Sequence, residues 1–398
     1  MPELPSFQNF RRKVRRNREA GVILSDTHDL RQWAKERELP AKLDDVEPYV
    51  VYSVPYDTSK FPDVEAVAFT MHVQISWIGI LVRVSYYYVC HIDGKYKLHH
   101  GDWMLITFGT HSIHLDERGV LRHTFNPLVY LFVKQQESKA AVCVGLCCVD
   151  LIARRYFDKP FAPYAAVADH GHGIREGWRM YCKLSGMGMR TILGCFPHIM
   201  WHLTHGALLP KSHPKFDEVV EVVGQLHHCP TKGTWNVLLK ALARRWGDRD
   251  LALNDLWDSI FVAPYDNWYL GHDSSAPLTY PSNQVEESWH NNGIMRVLAR
   301  EMQASTETLL TVNLPKIMKL DAAKKADKLV HSIPLEWVPK SVYLKAQMNL
   351  ADSFKYVRVV DIPGSEKEDG TKLRAYYVLS RSQEADSYVY HICIISVS

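Results

Sequence analysis

The chain has 398 residues, of which 46% are hydrophobic, and its formal net charge is only +3. This length suffices for one large domain with additions or for two domains, and the apolar fraction can supply a core without disulfide bonds. The small net charge excludes a bulk electrostatic argument for a polyanionic partner, so any such argument depends on local clusters.

A basic run comes first in the chain. The stretch FRRKVRRNR holds six cationic side chains, Arg11, Arg12, Lys13, Arg15, Arg16 and Arg18. Such a run is typical of a nuclear-import signal or of an arm that binds phosphates. It is equally typical of the solvated face of a short N-terminal helix. We predict that residues 1–65 form a helical, then extended, lead-in segment.

Residues 66–134 carry β-branched and aromatic runs separated by turns. The runs are AVAFTMHV, YYYVCHIDGKYKL, WMLITFGTHSI and LVYLFVKQ. These runs predict adjacent antiparallel strands. The longest apolar stretch, VQISWIGILV, has about ten residues, whereas a membrane span needs about twenty. We therefore expect no membrane partner.

Strands and helices then alternate. SKAAVCVGLCCVDLIARRYF has helical spacing, YAAVAD is a short strand, IREGWRMYCKL is helical, and TILGCFPHIMWHL repeats the step from strand to helix. The eight cysteines of the chain lie mostly inside such apolar runs, and we expect reduced thiols that pack in the core. The order of elements predicts an α/β layer architecture over 66–212, in which site residues collect at strand ends.

The second half of the chain predicts a helical insertion and a β-rich tail. Residues 213–280 contain four regularly spaced tryptophans, Trp235, Trp246, Trp257 and Trp268, which we interpret as packing anchors of inserted helices. Residues 281–335 predict further helices of the core. Residues 336–398 predict a small meander of three strands.

Three acidic positions lie where an apolar element ends or is interrupted. Asp93 interrupts a strand, Asp169 ends a strand, and Glu286 and Glu287 begin a helix after a turn. Each alone is typical of an ordinary loop carboxylate. Three converging carboxylates would repel each other unless hard divalent cations neutralised them. This arrangement would suit two ions about 3.5–4 Å apart that support phosphoryl transfer.

Four motifs in order resemble one transposase family. HIDGKYKLHHGDWMLITFGT, AAVADHG, CFPH and SNQVEESWHN resemble the successive signatures of the transposase domain of Mutator-like elements, a DDE family, over about residues 85–300. In that family the first acid stands in a D-G-x-Y context, the second ends a strand, and the third precedes a serine in an Asn-rich turn. These positions match Asp93, Asp169 and Glu287.

The resemblance implies a fold, a reaction and partners. It implies a ribonuclease H-like mixed sheet with helices on both faces and a helical insertion before the third acid. It implies metal-dependent DNA cleavage and strand transfer with two Mg²⁺ or Mn²⁺ ions, in which Asp93 bridges the ions and Asp169 and Glu287 hold one each. Glu286 would lie about 100° around the helix, as a solvated acid or as one favoured by the dipole at the helix N-terminus. The expected partners are element ends and target DNA, bound by a nuclear homo-oligomer.

The pair Cys195 and His198 also matches the family, at C-x-x-H spacing. It would be half of a zinc site, completed by His202 or His205 or by His227, His228 and Cys229, or it would be a buried structural pair.

The candidate phosphate contacts are basic side chains at two places in the chain. They are Arg11, Arg12, Lys13, Arg15 and Arg16 in the N-terminal run and Lys316, Lys319, Lys324, Lys325 and Lys328 in a lysine-rich stretch. Two alternatives to an active transposase stay open. One is a transposase-derived DNA-binding or regulatory protein that does not cut DNA, and the other is an inert relic.

Overall fold

The structure is a computed structural model. It describes residues 34–40, 49–53, 64, 66–84, 88–95, 103–115, 121–134, 137–169, 171–229, 232–247, 249–272, 282–290, 294, 308–322, 357–361, 372–381 and 388–397. These residues form an α/β fold, as the sequence predicted.

The main sheet has seven strands. They are β1 (Tyr49–Ser53), β2 (Ala66–Thr70), β3 (Val89–Lys95), β4 (Trp103–Leu115), β5 (Leu121–Lys134), β6 (Ala165–Ala168) and β7 (Thr191–Gly194). Their spatial order is β1-β2-β5-β4-β3-β6-β7. Neighbours are antiparallel from β1 to β3, whereas β3, β6 and β7 are parallel.

Helices cover both faces of this sheet. On one face lie α1 (His72–Val84), α2 (Lys139–Phe157) and α3 (His172–Ser185). On the other lie α8 (Gln284–Trp289) and a π-helical turn, Leu309–Asn313, that leads into α9 (Leu314–Ala322). A hydrophobic core lies between the sheet and the helices on each face. Because side chains alternate along a strand, Ala66 and Ala68 of β2 pack in the core on the side of α1, α2 and α3, and Val67 and Phe69 pack in the core on the side of α8 and α9.

One prediction for this region is wrong. The run AVAFTMHV was interpreted as a strand within a purely β segment, but the strand ends at Thr70 and α1 begins at His72. The helix is continuous because Trp77, Ile78 and Leu81 form one buried stripe at helical spacing against the sheet.

The inserted helices form a separate core. After α4 (Phe196–Thr204) come α5 (Phe216–His227), α6 (Lys232–Trp246) and α7 (Leu251–Ile260). Trp235, Trp246 and Trp268 are buried among them, and Trp257 packs against the same cluster. The interpretation of these tryptophans as packing anchors is therefore confirmed.

The tail forms the predicted three-stranded meander. The antiparallel strands are β8 (Val357–Asp361), β9 (Lys372–Arg381) and β10 (Tyr388–Val397), with β9 in the middle. Within the part of the chain that the structure describes, no helix has both the length and the apolar character to cross a membrane.

Candidate active site

The parallel pairing of three strands stops at the same level of the sheet. Ile92 of β3 pairs with Ala168 of β6, and Ala168 pairs with Gly194 of β7. The next positions are Asp93, Asp169 and Cys195, which therefore line up across the sheet. The Cys195 amide donates to the Ala168 carbonyl at 2.7 Å and keeps this alignment. The carboxyl ends of parallel strands are where ligands bind in open α/β sheets.

The segment before α8 is fastened to these strand ends. The Asn283 amide nitrogen donates to Ile92 O at 3.1 Å, and its carbonyl oxygen lies 2.9 Å from Nδ1 of His91. The Asn283 backbone N–H also donates to Cys195 Sγ at 3.2 Å. Asn283 is fully buried, and these bonds bring α8 across the ends of β3 and β7.

A polar chain joins α8 to Asp93. Nδ1 of His290 lies 3.0 Å from Oδ2 of Asp93, and Nε2 of His290 lies 2.9 Å from the Thr107 hydroxyl. That hydroxyl donates to Oε1 of Glu286. Thr107 and His290 therefore link Glu286 to Asp93 through side-chain contacts.

The expectation that Glu286 is solvated is wrong. Its side chain is 0% exposed, and Thr107, the cross-strand partner of Asp93, lies beside it. The six-residue helix α8 packs on β3 and β5. Glu286 and His290 are four residues apart, so both lie on the side of α8 that faces the sheet. Oε2 of Glu286 is buried and has no hydrogen-bond partner among the described residues.

Burial and mutual repulsion raise the pKa values of two of these acids. The pKa of Glu286 is well above its usual range, first because of burial and then because the Asp93 carboxylate is near. Burial also raises the pKa of Asp169, and the nearby Asp93 carboxylate adds to this increase. The Gly171 N–H donates to Oδ1 of Asp169 at 2.8 Å and lowers the pKa, which partly offsets the increase. The acids therefore affect one another's charge, as the sequence analysis expected of a converging set.

Glu287 faces away from Glu286, toward the end of β7. Its Oε1 lies 3.4 Å from Nδ1 of His198 and 3.8 Å from Sγ of Cys195, and its side chain is 32% exposed. Burial raises the pKa of the Cys195 thiol to about 12, with smaller contributions from the Glu287 and Asp93 carboxylates.

The described residues contain one group of three potential ligands within 4.8 Å of each other, namely Cys195, His198 and Glu287. The other candidate zinc ligands have different surroundings. Nδ1 of His227 lies 2.9 Å from the Trp268 carbonyl, and Cys229 is buried in the core of the inserted helices.

Some site residues were missed by the sequence analysis. Thr107 could have been found as the residue opposite Asp93 in the predicted hairpin, and His290 as the residue four positions after Glu286. Glu137, which precedes α2, was also missed. A Cβ at Gly94 would overlap its carboxylate, so this glycine admits Glu137 next to Asp93. The signal for Glu137 was weak, because it stands only as an acid before a Ser-capped helix.

Most of the predicted phosphate contacts lie outside the described residues, namely Arg11, Arg12, Lys13, Arg15, Arg16, Lys324, Lys325 and Lys328. Lys316 and Lys319 lie on α9, where Lys316 is exposed. The chain matches no protein-family model, no curated protein and no solved structure.

Proposed function

We propose that the protein is a ribonuclease H-like, metal-dependent DNA-cleaving enzyme of the DDE transposase type. The observation that carries this proposal is the level placement of Asp93 and Asp169, each directly after the last residue pair, Ile92 and Ala168, that joins two adjacent parallel strands. The order β5-β4-β3-β6-β7 supports the proposed fold, since three antiparallel strands are followed by two parallel ones. A helix bearing two further acids covers the same strand ends.

The acids fit hard divalent cations. Mg²⁺ and Mn²⁺ prefer carboxylate oxygens, and Asp93, Asp169 and Glu287 supply them from β3, the end of β6 and α8. The buried, unpartnered Oε2 of Glu286 is a further sign that positive charge belongs nearby. We assign the third ligand to Glu287 rather than Glu286, because a ligand of a cation that contacts a DNA phosphate must be accessible from solvent.

Bound cations would supply charge neutralisation at the scissile phosphate and lower the pKa of the attacking hydroxyl. The chain's own residues hold the acids for this task. His290 fixes Oδ2 of Asp93 on one side, and the Gly171 N–H fixes Oδ1 of Asp169. Asn283 holds the start of α8 so that Glu287 stays at the strand ends.

An aromatic surface beside the acids supports a nucleic-acid substrate. Trp201 on α4 is 54% exposed, and its ring stacks on His205 with centroids 4.5 Å apart. The same helix carries His198, whose Nδ1 lies 3.4 Å from Oε1 of Glu287. Exposed aromatic rings stack on bases of single-stranded or distorted DNA at about 1–3 kcal/mol per base.

Nicking of a supercoiled plasmid tests the proposal. The wild-type chain should convert the plasmid to open circles with Mg²⁺ or Mn²⁺ and not with Ca²⁺ or EDTA. Asp93→Asn should abolish the reaction while the protein remains folded by circular dichroism. DNA binding without nicking by the wild type would favour the regulatory alternative, and nicking by Asp93→Asn equal to wild type would refute the assignment of the site.

A further inference from the structure

We propose a second metal site, specific for a borderline ion such as Zn²⁺, formed by Sγ of Cys195, Nδ1 of His198 and Oε1 of Glu287. The three groups come from three places in the sequence. Cys195 follows β7, His198 lies in the first turn of α4, and Glu287 lies on α8. Their side chains nevertheless converge within 4.8 Å.

The separations match a tetrahedral zinc site. Zinc lies about 2.3 Å from sulfur and about 2.0–2.2 Å from nitrogen or oxygen, so neighbouring ligand atoms are about 3.3–3.6 Å apart. Glu287 Oε1 lies 3.4 Å from His198 Nδ1 and 3.8 Å from Cys195 Sγ. Only small side-chain adjustments would bring the three atoms around one ion.

The surroundings favour a metal over a closed hydrogen-bonded pair. Nδ1 of His198 is a buried atom without a hydrogen-bond partner among the residues that the structure describes. The Asn283 N–H donates to Cys195 Sγ at 3.2 Å, and such a bond stabilises a thiolate ligand. Three ligands leave a fourth position for water, as in zinc sites that are not purely structural.

The ligand set separates this site from the proposed hard-cation site. A thiolate and an imidazole select Zn²⁺ over Mg²⁺, whereas Asp93 and Asp169 offer only oxygen. Glu287 belongs to both sets, so zinc at Cys195 would engage the carboxylate that the proposed DNA chemistry needs. Zinc binding itself does not depend on that chemistry and is measured without DNA.

The test measures metal binding by the full chain. Protein purified without chelators should retain one zinc per chain by mass spectrometry of the metal. Replacement by Co²⁺ should give a thiolate-to-cobalt charge-transfer absorption. Cys195→Ser should abolish that absorption. Cys195→Ser, His198→Ala and Glu287→Gln should each weaken zinc binding more than about 100-fold, because even outer-shell changes cost about 10–100-fold.

Two matched variants serve as controls. Cys229→Ser removes a buried thiol elsewhere, and Glu286→Gln changes the adjacent acid, so both should retain zinc and the cobalt absorption. A folded wild type that binds neither ion would overturn the proposal, as would Cys195→Ser with wild-type affinity. Should Cys195→Ser fail to fold, the cobalt absorption of the wild type and its weakening in Glu287→Gln decide the question. Failure of the DNA chemistry would appear only in the nicking assay.

Discussion

Glu286 and Glu287 are adjacent in the chain but belong to different environments. Glu286 is fully buried against Thr107, whereas Glu287 is partly exposed and faces His198 at 3.4 Å. Successive residues on a helix point about 100° apart. A helix that lies across strand ends can therefore place one acid against the sheet and leave the next one partly exposed. The two residues should therefore differ in their effects on activity and stability.

Nicking activity should depend on Glu287 more than on Glu286. We expect Glu287→Gln to lose about 100- to 1,000-fold in nicking rate, the size typical of removing one group that stabilises transition-state charge. Glu286→Gln keeps the shape of the buried side chain and should lose less than about tenfold. Single-turnover rates at saturating Mn²⁺ measure both. The reverse order would assign the third ligand to Glu286.

Divalent cations should stabilise the folded protein. An ion at 100 times its dissociation constant adds about 2.7 kcal/mol to the free energy of unfolding when it binds only the folded state. Thermal unfolding with and without Mg²⁺ or Mn²⁺ measures this gain. Asp93→Asn should lose most of it, and Asp150→Asn, which changes an acid on α2 paired with Arg154, should retain it. An equal gain in Asp93→Asn would contradict the site.

The metal-free protein should become less stable as the pH rises. Burial raises the pKa of Glu286 above its ordinary value of 4.5, so the folded state holds this proton more tightly than the unfolded state. The resulting stabilisation is complete below pH 4.5 and is lost as the pH rises toward the folded-state pKa. Asp169 contributes in the same direction.

Urea midpoints between pH 5.5 and 8 in EDTA measure this slope. Glu286→Gln cannot titrate at this position and should show a flatter dependence. An unchanged slope in Glu286→Gln would mean that this carboxyl group is not the source.

Zinc should inhibit the Mg²⁺-dependent reaction by engaging Glu287. Half-inhibition of Cys195→Ser, relative to its own uninhibited rate, should need at least about 100-fold more Zn²⁺ than half-inhibition of the wild type. Cys229→Ser should be as sensitive as the wild type. Equal sensitivity of Cys195→Ser and wild type would place the inhibitory ion elsewhere.

The stability of the inserted helices should depend on Trp235. Its ring stacks on Tyr269 with centroids 4.1 Å apart and meets Trp268 edge-on at 5.0 Å. Trp235→Ala should lower the free energy of unfolding by about 3–5 kcal/mol because it leaves a large cavity. Val237→Ala, on the exposed side of α6, should change it by less than about 0.5 kcal/mol. Chemical denaturation of both variants provides the comparison.

The alternation of strands and helices was predictable because its signals are local. Strand β6 is an apolar run that ends at Asp169, and the buried face of α2 repeats at helical spacing, so periodicity indicated both. Helix α1 was missed because VQISWIGILV is mostly apolar and rich in β-branched residues. A short run of this kind does not distinguish a buried strand from a buried helix.

The site was predictable only where residues stand at strand ends. Asp93 and Asp169 interrupt or end apolar strands, which the sequence shows directly. The burial of Glu286 depends on how α8 lies on the sheet, and that orientation is set by Asn283 bonding to Ile92 and His91, far away in the chain. Long-range bonds of this kind leave no periodic trace in a sequence.

Strand β6 has only four residues, Ala165–Ala168, all of them fully buried. The length of β6 fixes the position of Asp169, because Asp169 is level with Asp93 only when the strand keeps its four residues. One added or deleted residue in this strand would turn the following carboxylate to the opposite side of the sheet. The geometry of the site therefore depends on the length of this strand as well as on its apolar composition.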